Sequence, residues 1–275
     1  MMNILILGGT SDARKVVKAL DQQGLLGENR LIYSIAGLVR VPELPCEVIS
    51  GGFSQWGGLV KYLQKHKIDL LLDITHPFAK RMSTTAVEAA AELSIPCWRF
   101  HREEWTAQAG DQWRLFSDMD ALVIAAEKYR SVLLTAGQLS QQVIDQLARY
   151  AQHRGQKQVI RTAAPAQAVL PDAMVWLKAI GPFKHEDERA LLEQHKIDLL
   201  ISKNSGGAAT EAKLSAAREL GIEVFMLQRP DLPEADQTYR DIGCCVKAVK
   251  HFVTGKTGAS QSGNSQVQGR RNRGV

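Results

Sequence analysis

The sequence is poor in cysteine and in aromatic residues, and it holds no long apolar run. Its four cysteines, Cys46, Cys97, Cys244 and Cys245, form no Cys-x-x-Cys pair, and the last two are adjacent. Such spacing excludes a structural zinc site and a disulfide framework, so buried, reduced thiols and no metal are expected. No apolar stretch approaches the roughly 20 residues needed to cross a bilayer, and no membrane partner is expected. Met1-Met2-Asn3 before Ile4-Leu5-Ile6-Leu7 lacks a basic start, and the apolar run is too short for a signal peptide, so a cytoplasmic location is expected. None of Tyr33, Tyr62, Tyr129, Tyr150 and Tyr239 has a lysine four residues on, which removes the Tyr-x-x-x-Lys pair of short-chain dehydrogenases. Acidic residues are absent from Thr254 onward, where Lys256, Arg270, Arg271 and Arg273 supply four of the chain's net five positive charges. The remaining body carries about +1, so the basic balance belongs to the tail and no nucleic-acid partner is expected.

What is present is an ordinary globular composition, 45% apolar and 23% charged, over 275 residues, a length that suits two separate cores. Strand, turn and helix alternate along it. Asn3 to Leu7 reads as a buried strand, and Ala13, Val16, Val17 and Leu20 fall on one helical face. Leu31 to Ile35, Ile68 to Ile74 and Pro96 to Phe100 read as further strands, with Trp56, Leu59, Val60 and Leu63 at helical spacing between them. Beyond Ser117 the alternation resumes. Strands are expected at Ser131 to Thr135, Gln158 to Arg161, Val175 to Ile180, Ile197 to Ser202 and Glu223 to Leu227, with a helix burying Ala209, Ala212, Ala216 and Leu220. The run His66-Lys67-Ile68-Asp69-Leu70-Leu71 recurs as His195-Lys196-Ile197-Asp198-Leu199-Leu200, as two similar lobes would produce. The expected fold is α/β: two Rossmann-like, doubly wound lobes with mostly parallel sheets and a cleft between them. Residues 3-117 form the first lobe and 118-253 the second. Residues 254-275 have too little apolar surface to offset their ordering entropy and are expected to be a disordered basic tail.

In open α/β sheets ligands bind beyond the carboxyl ends of the strands, so those turns hold the candidate chemistry. Gly8 and Gly9 permit close backbone approach, and Thr10 or Ser11 caps a helix whose N–H groups suit a phosphate. The turn is not Gly-x-Gly-x-x-Gly, and a plain strand-to-helix turn is the alternative. After the second strand come Ser34, Gly37 and Arg40, where an NAD site usually places an acid; none precedes Glu43, and serine with arginine suits a 2′-phosphate. Gly51-Gly52, in the loop after the third strand, suits either close backbone approach to a cofactor or a flexible turn. In Thr75-His76-Pro77, Thr75 is the expected cap, Pro77 suits a first helical turn, and His76 is the candidate proton donor. Arg99 and Arg161 close other strands. The densest run is Lys203-Asn204-Ser205-Gly206-Gly207 with Thr210 and Lys213, whose cations, amide, hydroxyls and glycines make an anion-binding nest.

Taken in order, Ile4 to Asp12, Ser34 to Gly37, Gly51 to Phe53, Thr75 to Ala79, Gly181 to Phe183, Lys203 to Gly207 with Thr210 and Lys213, and Arg229-Pro230 resemble the precorrin-6A reductase family over roughly residues 3 to 253. The resemblance implies an oxidoreductase of cobalamin (vitamin B12) biosynthesis that transfers a hydride from NADPH to one double bond of the precorrin-6A macrocycle. On that reading NADPH is held in the first lobe by Gly8, Gly9, Thr10, Ser11, Ser34, Gly37, Arg40, Gly52 and Thr75. The carboxylates of the tetrapyrrole substrate meet Lys203, Asn204, Ser205, Gly206, Gly207, Thr210, Lys213, Arg99 and Arg161, and His76 is the catalytic acid. The chain departs from the family at Leu38, where an arginine is common, and at Ser54-Gln55-Trp56; Arg40 is the candidate replacement, and NADH stays open as the cofactor. Three other readings remain. They are an NADH-dependent cobalt-precorrin-6A reductase whose metal is chelated by the substrate, a tetrapyrrole methyltransferase using S-adenosylmethionine, and a non-catalytic nucleotide-binding regulator. No partner protein is indicated.

Overall fold

The computed structural model describes residues 1–37 and 41–261. The chain opens a first unit with β1 (Asn3–Leu7), β2 (Arg30–Ile35), β3 (Glu47–Ser50), β4 (Leu70–Asp73) and β5 (Cys97–Phe100). It leaves that unit after His101 and builds a second, residues 102–231, from β6 (Trp113–Phe116), β7 (Ser131–Leu134), β8 (Lys157–Thr162), β9 (Met174–Lys178), β10 (Leu199–Lys203) and β11 (Glu223–Leu227). It returns to the first unit at Leu232 and adds β12 (Gln237–Tyr239). The intervening helices are α1 (Ser11–Gln22), α2 (Leu25–Glu28), α3 (Leu59–Lys65), α4 (Lys80–Glu92), α5 (Met119–Ala125), α6 (Gln141–Arg154), α7 (His185–Gln194), α8 (Ala212–Glu219) and α9 (Ile242–Gln261).

Unit 1 carries a six-stranded sheet among the described residues, in the order β12-β5-β4-β1-β2-β3, with every pairing parallel. Its central strands are runs of Leu and Ile because a parallel sheet is covered on both faces. Ile4, Ile6 and Leu72 pack against Val16, Val17 and Leu20 of α1 and Val246 and Val249 of α9. Leu5, Leu7 and Leu71 pack on the other side against Tyr62 and Leu63 of α3 and Ala86 and Ala90 of α4. The expected buried face of α1, Ala13, Val16, Val17 and Leu20, is the observed one.

Unit 2 has the order β6-β11-β10-β7-β8-β9, again all parallel. Read from β9, it repeats the layout of unit 1 read from β3. In both sheets the strand order reverses beside the first central strand, between β1 and β4 and between β7 and β10. Ligands bind at such a reversal in doubly wound folds. The repeated hexapeptide marks this correspondence. His66 and His195 end α3 and α7, and Lys67 and Lys196 take φ of 49° and 51°. Asp69 accepts the Asn3 N–H at 2.9 Å, and Asp198 accepts the Ser131 N–H at 2.8 Å. Each aspartate thus sets the register of the central strand pair in its own unit.

Three expectations change. The boundary near Ser117 moves to His101, and residues 232–253 belong to the first unit, because β6 and β12 are edge strands that carry no apolar run. Residues 254–261, expected in the tail, are helical: α9 continues to Gln261, with the Thr254 hydroxyl donating to the Lys250 carbonyl at 3.0 Å. A helix already nucleated extends at the cost of one residue per added bond. Residues 262–275 lie outside the described residues. Finally, α8 starts at Ala212 after a separate turn at Ala208–Thr210, so its buried face is Lys213, Leu214, Ala216 and Ala217. Cys97 and Cys245 are buried as expected, Cys46 is half-buried, and Cys244 is exposed. Among the described residues no helix is long and apolar enough to cross a membrane, and no cluster of metal-ligating side chains occurs.

Since α9 covers one face of the first sheet, Val249, which is fully buried, reports on the returning segment. Val249→Asp is expected to destabilise the protein by about 3 kcal/mol or more, through a buried and unpaired carboxylate. Urea denaturation would measure it, and a loss below about 1 kcal/mol would contradict the placement of α9.

Candidate cofactor and substrate sites

In unit 1 the turn after β1 is held from below. Gly8 donates its N–H to the Ser34 carbonyl at 2.8 Å, and Gly9 donates to the Tyr33 hydroxyl at 2.9 Å. A Cβ on Gly8 would lie 2.3 Å from the Tyr33 ring, so only glycine allows this approach. Tyr33 is fully buried, and desolvation pushes its hydroxyl pKa up, with the Gly9 N–H acting the other way. Both glycine N–H groups are therefore occupied. Gly9 has a φ of 98°, and a Cβ there would meet nothing within 4 Å. The space above this turn is open, so the backbone fits close approach by a diphosphate. Thr10 caps α1, accepting the Ala13 N–H at 3.1 Å, and donates to the Ile74 carbonyl at 2.9 Å. The first-turn N–H groups of α1, starting at Ser11, are the donors suited to a phosphate.

Around this turn the other expected cofactor residues divide. Ser34 is buried at the end of β2. Gly37, at φ 76°, lets that loop approach Ser50, whose hydroxyl lies 2.4 Å from where a Cβ would stand. Arg40 lies outside the described residues. Gly52 has an ordinary φ of −76°, and the left-handed residue of that loop is Gly51, at 100°. Thr75 does not cap α4, and Pro77 precedes the helix, which starts at Lys80. Instead the Thr75 hydroxyl and N–H both donate to Asp73 Oδ1, at 2.7 and 3.2 Å. His76 is exposed; its Nδ1 accepts the Phe78 N–H at 3.2 Å, which leaves the proton of the neutral ring on Nε2. Arg99 is not available to a substrate: it is buried and donates from Nε to Asp73 Oδ2 at 3.1 Å.

In unit 2 much of the expected donor-rich nest is used within the protein. Asn204 accepts the Trp105 N–H at 2.9 Å and donates to the Trp105 carbonyl and to Glu104. Arg229 donates to the carbonyls of Arg102, Glu103, Asn204 and Ser205. Gly206, at φ 67°, packs so closely that a Cβ would stand 2.0 Å from the Glu103 carbonyl oxygen. Gly207, at φ 80°, abuts the Arg102 side chain, and its carbonyl accepts from the Trp105 indole at 3.3 Å. The run is a fastened platform, and Asn204 and Gly206 hold its shape. Lys203 is the cation within this run. It closes β10 half-buried, its amine 3.9 Å from where a Cβ of Gly137 would stand, in the turn after β7. That places it at the reversal of the second sheet, and burial pushes its pKa down. Thr210 ends the turn before α8.

Arg161 and Lys213 go elsewhere, into a buried cluster. Arg161 forms a bidentate pair with Glu188 of α7, with Nη2 to Oε2 at 3.0 Å, and its guanidinium lies 4.2 Å from the Phe183 ring centre. Lys213 is only 4% exposed, with its amine 5.4 Å from the Trp105 ring centre. Desolvation, then the Arg161 charge, pushes its pKa down to about 7 against the pull of Glu188. These two cations support the Phe183 turn and α8. Asp73, Tyr33, Glu188 and Trp105 were not singled out in the sequence. Only Asp73 carried a signal there, as a charge ending an apolar strand.

Fold and turns together define a two-unit, Rossmann-type protein with a nucleotide-suited turn in the first unit and a cation-bearing turn in the second. The model of the family described as "Precorrin-6x reductase CbiJ/CobK" matches residues 3–250, and the chain belongs to this family. It is 39% identical to a precorrin-6A reductase of Rhodococcus erythropolis over 88% of this chain and 95% of that one. It is 36% identical to that of Rhodobacter capsulatus, over 86% and 91%. A cobalt-precorrin-6A reductase of Priestia megaterium is 27% identical, over 83% and 91%. A solved structure, "CobK precorrin-6A reductase", superposes with a TM-score of 0.79 at 34% identity, covering 91% of this chain and 96% of the other. The chain is thus an oxidoreductase of the cobalamin pathway, as the resemblance implied.

The buried lysine generates a pH prediction. Below about pH 7 Lys213 is charged in the folded chain, and the burial cost is carried in full. Between about 7 and its ordinary 10.5, the unfolded chain binds one more proton than the folded one, so stability rises with pH. Lys213→Met should raise the melting temperature at pH 7 and flatten the rise in stability between pH 7 and 10. An unchanged pH profile in thermal melts of the variant would show that Lys213 is not the group responsible.

Proposed function

We propose that this chain reduces metal-free precorrin-6A, receiving hydride from NADPH and adding two hydrogens across one double bond to give precorrin-6B, in the cytoplasm. The observation that carries this reading is the family match across both units, residues 3–250. The metal-free substrate is favoured because the relatives named precorrin-6A reductase are 35–39% identical, against 24–28% for those named cobalt-precorrin-6A reductase. NADPH is favoured over NADH because no acid follows β2 before Glu43, where a ribose 2′-hydroxyl would need one.

The nicotinamide, once bound, supplies the hydride, and the protein supplies position and charge. Gly9 leaves the turn open to a diphosphate, and Ser11 opens the helix whose dipole favours it. As an imidazolium, His76 can give a proton to a ring nitrogen of the macrocycle, returning to the neutral ring and making the conjugated imine a better hydride acceptor. Lys203, with Thr210 and the N–H of Gly207, meets the acetate and propionate groups.

Anaerobic incubation with precorrin-6A and either NADPH or NADH, followed by product mass, tests the reading. A gain of two hydrogens with NADPH is expected. The same gain with NADH alone overturns the cofactor choice. A gain only with the cobalt substrate overturns the metal-free one, and no gain with any combination leaves a nucleotide-binding regulator. His76→Gln is expected to lower kcat by about 10²-fold or more, the size of a lost general acid. Lys203→Ala should raise the KM for the tetrapyrrole and weaken its dependence on salt. A KM unchanged in Lys203→Ala would remove that lysine from the substrate site.

A further inference from the structure

Asp73 closes β4 at the reversal of the first sheet and is 1% exposed at its side chain. Its carboxylate is shared between two partners of different kinds. Oδ1 accepts the hydroxyl and N–H of Thr75, the residue before His76. Oδ2 accepts Nε of Arg99, the residue beside it on β5, whose side chain is 6% exposed. Arg99 Nη1 donates to the Pro233 carbonyl at 2.7 Å, while Nη2 is buried with no acceptor. The turn is pinned on its other side by the Thr10 hydroxyl donating to the Ile74 carbonyl.

This arrangement is a poor way to stabilise a fold. Two charges are removed from water, and both N–H bonds of Arg99 Nη2 are left without an acceptor. The second unit supplies an internal control. The repeated hexapeptide and the identical strand order make β10 the counterpart of β4 and β11 that of β5. At the position of Asp73 stands Ser202, paired in register with Met226 at the position of Arg99, and both are fully buried. The same scaffold position is thus filled by a neutral pair where no His76-bearing turn follows. The fold does not require the charges.

We propose, resting on the reductase reading, that Asp73 and Arg99 are positioning residues for the hydride transfer. The ion pair fixes the carboxylate that holds Thr75, and so sets the Thr75–Ala79 turn and the imidazole of His76 in their working orientation. Arg99 is then no substrate ligand. Its charge orients Asp73 instead of meeting a tetrapyrrole carboxylate.

The test imports the neutral pair of unit 2: Asp73→Ser with Arg99→Met, made together so that no buried charge is stranded. The full-length variant is expected to melt cooperatively and to bind NADPH with an affinity within threefold of the parent. Its kcat should fall tenfold or more, while both KM values stay within threefold. The His76 Cε1–H proton resonance, assigned by its loss in His76→Gln, should move in the ligand-free variant. Arg99→Lys, which keeps a charge beside Asp73, should recover part of the lost kcat. A folded double variant with kcat within twofold of the parent, or with an unmoved His76 resonance, overturns the proposal. So does a double variant that fails to fold, since the pair would then be a requirement of the scaffold. If the parent protein does not reduce precorrin-6A at all, the reductase reading fails by itself, and the resonance still decides whether the pair positions His76.

Discussion

A parallel sheet cannot leave a face to water, because its strands are joined by crossovers that run over both sides. In the first unit this constraint reaches across the whole chain. After β5 the chain departs for 130 residues to build the second unit, and the first sheet still needs a cover for Ile4, Ile6 and Leu72. The returning segment provides it, with β12 at the sheet edge and α9 laid beside α1. The first unit is therefore incomplete until the chain returns from the second, and one face of its central strands is covered by residues nearly at the other end of the sequence.

On that covered scaffold, polar groups are placed by backbone contacts more than by charge. Tyr33 holds the Gly9 amide, Thr10 holds the Ile74 carbonyl, and Arg229 gathers four carbonyls beneath the Lys203 platform. Each is a neutral or charge-assisted bond to main chain, the kind that fixes a turn without committing its side chains to one another. Exceptions among the described residues are the pairs Asp73–Arg99 and Arg161–Glu188, buried on both sides. Both lie at carboxyl ends of strands, where ligand-binding turns begin. Buried ion pairs contribute little to stability, and their cost is consistent with orienting a turn. Lys213, held near neutrality beside one of them, makes the second unit softer below neutral pH than above it.

The strand-turn-helix alternation, the inner face of α1, the apolar central strands and the repeated hexapeptide were legible in the sequence, because period and composition follow from which faces are buried. So was the set of turns that carries the family resemblance. The edge strands were not: Trp113 to Phe116 exposes two of its residues, and Gln237 to Tyr239 is too short to show a period. Neither strand announces itself, so nothing in the sequence marks that residues 102–117 belong to the second unit and residues from Leu232 onward to the first.

The residue types at the candidate sites were likewise determined by sequence alone, since glycine, histidine and lysine at strand ends carry their chemistry wherever they fold. Which of them stay accessible at the ends of their strands was decided by tertiary structure. Arg99, Arg161 and Lys213 look like surface cations in one dimension, yet each is turned inward by the register of its strand or the start of its helix. Lys203 alone of these four stays half-exposed, because it closes its strand where the sheet order reverses. Burial depends on partners distant in sequence, here Asp73, Glu188 and Trp105, and local pattern holds no record of them.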